Sequence, residues 1–199
     1  MKPDEFQKEK IIKQLELHPS RLDKERILSE AMGNSLNDFF EGVRMALDPL
    51  VTFGVKQVPE KDDEEGQGFE WKDFKELANQ LIKRDLTGHA ARDKILLAMK
   101  SSTKEEWNGF YRRVLIKDLR CGVSEKTVNK VAKKFLKYSI PIFSCPLAHD
   151  SANHEKKMIG KKQIEIKLDG VRVLTIIRKN KVEMFSRNGK QFNNFGHII

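Results

Sequence analysis

Residues Lys167-Leu168-Asp169-Gly170-Val171-Arg172 set a lysine, an acid, a glycine and an arginine in the pattern KxDGxR. A lysine is nucleophilic only as the free amine, and a nearby cation with partial desolvation disfavours its charged form. Lys167 is therefore a candidate nucleophile. Arg172 is a candidate phosphate binder, because its planar fork of donors matches phosphate oxygens. Gly170 allows the backbone to turn and to approach a ligand closely, and Asp169 organises that turn. With average composition, four fixed residues match by chance in roughly one in a few hundred chains of this length. The bland alternative is a surface strand ending in an Asp-Gly turn.

Presenting Lys167 requires a strand before it. In residues 163–168 the apolar Ile164, Ile166 and Leu168 point one way, and Gln163, Glu165 and Lys167 point the other. Residues 171–178 form a β-branched run, 179–181 a turn, and 182–186 a return strand before the turn signal Asn188-Gly189. Phe185-Ser186-Arg187-Asn188-Gly189-Lys190 thus brings a second arginine on a tight turn, about twenty residues after the lysine.

Upstream, to about residue 138, the apolar period is helical. Phe6, Ile11 and Leu15 share a face in a segment that Pro19 ends; Ser20 caps a second helix, which Gly33 stops. Leu36, Phe39, Phe40, Val43 and Leu47 line a third. Residues 51–59 read as extended, and the acidic, glycine-containing run 61–68 reads as a solvated, mobile loop without calcium-loop spacing. The helical period resumes at Trp71, closes at Gly88, and continues over residues 89–100. Thr103 and Glu106 form a capping-box pattern ahead of Trp107, Phe110, Val114, Leu115 and Leu119, a buried face. The change of period near residue 140, beside Pro141 and Pro146, marks a boundary. The expected fold class is α+β, with an all-α domain over 1–139 and the beginning of a β-rich domain over 140–199.

The chain has 199 residues, with 38 Lys and Arg against 29 Asp and Glu, a net charge of +9. Such a surplus favours a polyanionic partner through counterion release. No apolar run approaches the roughly 18 residues of a membrane span, and the first residues lack the apolar stretch of a signal peptide. A cytoplasmic monomer with no membrane partner is expected. Cys121 and Cys145 are the two cysteines, read as free thiols without a zinc site.

The two motifs together resemble the covalent nucleotidyltransferase superfamily of DNA ligases, RNA ligases and mRNA-capping enzymes. Arg84-Asp85-Leu86-Thr87-Gly88-His89-Ala90-Ala91, the segment from Arg112 to Gly122, and Val128-Asn129-Lys130-Val131 resemble the N-terminal DNA-binding domain of ATP-dependent DNA ligases of the T-even phage type. The resemblance covers most of the chain and is strongest from about residue 71. It implies that Lys167 takes up AMP from ATP with Mg2+ assisting, and that Glu165 and the Ile166 backbone read adenine. It also implies that Arg172 and Arg187 contact the nucleotide. No metal ligand is assigned, since the family's metal-binding acids lie further along. The chain stops at Ile199, before those acids, a lysine pair and a C-terminal OB domain. The resemblance thus implies an incomplete nucleotidyltransferase domain, inactive alone, and an infected host cell as its location if phage-encoded.

The same resemblance gives meaning to a basic stripe. Arg112, Arg113, Lys117, Arg120, Lys126, Lys130, Lys133, Lys134 and Lys137 are opposed only by Asp118 and Glu125. An ordinary solvated helix face would alternate in sign. Gly122 allows a tight turn and Ser124 caps the next helix, so that N–H groups from Ser124 to Thr127 meet a phosphate. Backbone contact without base readout suits sealing of nicked double-stranded DNA in any sequence. Trp107 and Phe110 are read as core. The alternative function is a truncated, non-catalytic nicked-DNA-binding protein. RNA capping or RNA ligation fits the motif but not the helical region.

Overall fold

The structure, a computed structural model, describes residues 7–145, 149–166, 169–179 and 181–192. It is mixed: a helical part and a small three-stranded antiparallel sheet. The chain divides into two compact units, residues 1–142 and 143–199.

In the first unit α1 (Lys8–Leu17), α2 (Arg21–Gly33) and α3 (Asn37–Leu47) follow one another closely. Ile11, Ile12 and Leu15 of α1, and Phe39, Phe40 and Val43 of α3, are buried. Phe6 lies outside the described residues. Ser20 stands at the start of α2 but its hydroxyl makes no capping hydrogen bond. Helices α4 (Trp71–Lys83) and α5 (Gly88–Ser101) come next. Gly88 does not close α4. Arg84 does so in a left-handed conformation, φ 67°, with its N–H on Gln80 and Leu81 carbonyls, and Gly88 opens α5 instead.

Thr103 and Glu106 form the reciprocal capping box at the head of α6 (Lys104–Glu106). The helix then passes through a π-helical turn, Trp107–Tyr111, into α7 (Arg112–Leu115). The widened turn sets Trp107, Phe110, Tyr111, Val114 and Leu115 all inward. Phe74 stacks on Tyr111 at 4.5 Å, and Phe39 on Phe110 at 5.7 Å. Burial drives the Tyr111 phenol well above its usual range while its hydroxyl donates to the Phe69 carbonyl. α8 (Glu125–Ala132) packs on α2.

The run 61–68 is more ordered at its ends than its polarity suggests. Lys61 is 1% exposed, ion-paired to Asp63 at 2.9 Å, and its backbone is bracketed by the Asn108 side chain. Gly66, at φ 113°, presses so close to the Ser102 carbonyl that a Cβ would lie 2.2 Å away. Gly68 N–H donates to Ser101. Between these anchors residues 62–67 are exposed.

In the second unit β1 (Val173–Arg178), β2 (Lys181–Ser186) and β3 (Gln191–Phe192) form a meander, with Val173 opposite Ser186 and Arg178 opposite Lys181. The strand expected at 163–168 is absent from the described residues 163–166. A strand is held by its ladder, and the ladders among the described residues join only β1, β2 and β3. Without a partner the alternation buries nothing: Ile164 is 94% exposed and Ile166 88%. Among the described residues no helix is long and apolar enough to cross a membrane.

Candidate functional site

Lys167 and Leu168 lie outside the described residues. Around them, Glu165 accepts a hydrogen bond from the Gln163 amide at 2.5 Å, and Ile166, Asp169 and Gly170 are exposed. Gly170 does not adopt a positive φ, and a Cβ there would meet nothing within 4 Å. The glycine at this place is thus not required by the local backbone.

The two motif arginines come from opposite sides of the hairpin, yet both meet Cys145. Arg172 Nη1 lies 3.8 Å from the Cys145 sulfur, and the thiol donates to the Arg187 carbonyl at 3.7 Å. Arg187 sits on a turn fixed by three hydrogen bonds: Ser186 N–H to the Lys190 carbonyl at 2.7 Å, Gly189 N–H to the Ser186 carbonyl at 2.9 Å, and Lys190 N–H to the Ser186 hydroxyl at 3.1 Å. Gly189 is obligatory. Its φ is 83°, and a Cβ would lie 2.6 Å from the Phe143 ring. The Arg172 guanidinium thus reaches the thiol, whereas Arg187 meets it only through its backbone carbonyl. Among the described residues no cluster of three His, Cys, Asp or Glu side chains could hold a metal ion.

In the first unit the basic stripe splits into two kinds of residue. Arg112 donates to the Val58 carbonyl at 2.9 Å and pairs with Glu60 at 3.0 Å. Arg113 pairs with Glu16 and donates to the Asn108 and Leu119 carbonyls, so its side chain is 16% exposed. Lys117 donates to the Met45 and Asp48 carbonyls at 3.0 and 2.6 Å, closing the end of α3. Burial holds the Lys117 ammonium below its usual pKa. These side chains are occupied inside the fold.

The remainder faces outward. Lys126, Lys133 and Lys134 are exposed, and Lys130 pairs with Glu25 at 2.6 Å, holding that carboxyl below its usual range. Lys137 sits 4.7 Å over the Tyr138 ring. Arg120, half exposed, reaches Glu60 and Asp118. Gly122 has φ 65°, and Lys24, donating to the Cys121 carbonyl, fills the space a Cβ would need. Ser124 differs from expectation: its hydroxyl meets the Thr127 hydroxyl at 3.4 Å and caps no backbone N–H.

Sequence reading missed Asn129, whose amide brackets Ile140 through its N–H and carbonyl at 2.8 and 2.9 Å. It stood in a segment noted for its resemblance, but the partner eleven residues on gave no local signal.

No family model matches the chain, and no curated protein matches it. Solved structures do match, two of them as follows. One, called "Pmar-Lig_Pre.", is 81% identical over 97% of this chain, with a TM-score of 0.88. The other, "Pmar-Lig_PreS3", is 82% identical over the same share, again with a TM-score of 0.88. This chain spans 45% of the length of each, less than half.

Proposed function

We propose that the chain is the N-terminal part of an ATP-dependent DNA ligase that seals nicks in duplex DNA. The observation that carries this reading is the pair of motifs, KLDGVR at Lys167 and SRNG at Ser186, in one chain. One further feature supports it: the two similar structures bear "Lig" in their names.

In this reading the free amine of Lys167 attacks the α-phosphorus of ATP. A P–N bond forms, the bond to pyrophosphate breaks, and the amine's proton leaves to solvent. Glu165 and the Ile166 backbone read the adenine edge, while Arg172 and Arg187 neutralise phosphate charge. The adenylate passes to a 5′-phosphate at a nick, freeing the lysine, and the 3′-hydroxyl then displaces AMP. The helical unit holds the duplex by its backbone, through Arg120, Lys126, Lys130, the Gly122–Thr127 turn and their neighbours.

The test is a hybrid in which this chain replaces the matching 45% of Pmar-Lig_Pre.. With ATP and Mg2+ the folded hybrid should convert a nicked duplex to a sealed strand. A folded hybrid that binds the nick but never seals it would instead leave a non-catalytic nicked-DNA-binding protein.

A further inference from the structure

Between His149 and His154 the chain folds back on itself. Asp150 starts the turn: its side chain accepts from the Ala152 N–H at 3.0 Å, and Ser151–Asn153 make one 3-10 turn. The His154 N–H donates to the Ser151 carbonyl at 2.8 Å. A second 3-10 turn, Glu155–Met158, follows at once, with the Lys157 N–H on the His154 carbonyl at 2.8 Å. The two imidazole rings thereby meet with centroids 5.4 Å apart and planes at 71°. His149 is exposed and His154 half-buried. Among the described residues no hydrogen bond or ion pair uses their ring nitrogens.

Ring packing alone accounts for the distance, since aromatic pairs stand about 4.5–7 Å apart. It leaves the ring nitrogens unused. The same distance suits a shared metal ion. With a metal–nitrogen bond of about 2.1 Å, each ring centre stands about 3.2 Å from the ion, so two at a tetrahedral angle lie about 5.2 Å apart. At a right angle they would close to about 4.5 Å, and in a linear pair open to about 6.4 Å. The turn already holds the rings at the tetrahedral spacing, so ligation requires the rings to swivel and the backbone to stay. Imidazole favours borderline dications such as Zn2+ and Ni2+, whereas Mg2+ prefers oxygen. Asp150 and Glu155, each next to a histidine in the chain, add negative charge beside the rings. Among the described residues no third His, Cys, Asp or Glu completes a ligand set, so water takes the remaining positions on a bound ion.

We infer that His149 and His154 form a two-imidazole site for a transition-metal dication of the Zn2+ or Ni2+ kind. The ion cross-links the two ends of the 149–154 turn, in the second unit and ahead of KLDGVR in the chain. The site is independent of the ligase reading and of the Mg2+ that reading calls for, because its donors are nitrogens. Binding requires both imidazoles in the unprotonated form.

The experiment is calorimetric titration of Ni2+, and separately of Zn2+, into the untagged 199-residue chain at neutral pH. His149→Gln and His154→Gln should each weaken wild-type binding by at least roughly tenfold, the scale on which even the outer partners of a metal ligand act. His89→Gln, on α5, should leave the affinity unchanged, and a large excess of Mg2+ should not compete. Neither ligand side chain is buried, so both variants should keep the metal-free melting temperature of the wild type, which separates lost binding from misfolding. Wild-type affinity retained in both single variants overturns the site. So does binding lost only in Cys145→Ser, or Ni2+ displaced by Mg2+, which would put the ion on Asp150 and Glu155 instead. A wild-type chain that takes up neither Ni2+ nor Zn2+ leaves the two rings as an aromatic contact only and also overturns the inference.

Discussion

Lys117 distinguishes a charge that builds the fold from one that meets DNA. By sequence it belongs to the basic stripe; in the structure its ammonium donates to the Met45 and Asp48 carbonyls at 3.0 and 2.6 Å. Lys117→Gln removes the cation and shortens the reach, so both carbonyls lose a charged donor. Each such hydrogen bond is worth about 1.5–3 kcal/mol when broken, and a cation at a helix C-terminus adds about 0.3–1 kcal/mol. The side chain is only half buried and pays for its own desolvation, so the net loss should be about 2 kcal/mol. At about 2–4 °C per kcal/mol for a chain of this size, the melting temperature should fall by about 4–8 °C. Differential scanning fluorimetry reads this, and anisotropy with a nicked duplex supplies the second axis. The salt slope of binding should stay near wild type below the new transition. An unchanged melting temperature with a slope reduced by about 0.9 would refute the assignment and return Lys117 to the DNA face.

Other outcomes follow from the packing and the charges. Gly42→Ala should cost about 1–3 kcal/mol by urea unfolding, because its Cβ would lie 2.5 Å from the Phe110 ring and 3.1 Å from Trp71. Glu25 has its pKa lowered by Lys130 first and then Arg21, so its stabilisation is present above about 4.5 and lost as pH falls through the lower folded value. The melting-temperature gap between wild type and Glu25→Gln should therefore be seen at pH 7 and close below pH 4.5. Glu9 runs the other way: burial raises its pKa, so its unfavourable contribution grows as pH rises above 4.5, and Glu9→Gln should melt higher than wild type at pH 7.

The helices could be read in advance because their signals are local. Ile11 with Leu15, Phe39 with Val43, and Thr103 with Glu106 each lie within one or two turns, so period and cap chemistry suffice. What escaped depends on distant partners. Lys61 reads as loop charge until Asn108 and Lys100 arrive from other segments to bracket it. Gly88 reads as a stop because a left-handed residue is needed there, yet Arg84 takes that conformation first. The alternation over 163–166 is a true β pattern in sequence, but a strand also needs an edge to pair with. The motif arginines were identifiable by type and spacing, whereas their meeting at Cys145 depends on the hairpin and the 143–145 segment. Arg113 and Lys117 show why a stripe of charge does not by itself locate an interface: long cationic side chains also serve buried carbonyls.

The decisive measurement is peptide-level mass spectrometry of the folded hybrid after incubation with Mg2+ and either ATP or GTP. One adenylate should appear on Lys167 with ATP and none with GTP, and Lys167→Ala should abolish it while leaving nicked-duplex binding unchanged. An adduct that survives Lys167→Ala, or a folded hybrid that takes up no adenylate on any residue, would contradict the reading of this chain as part of a DNA ligase.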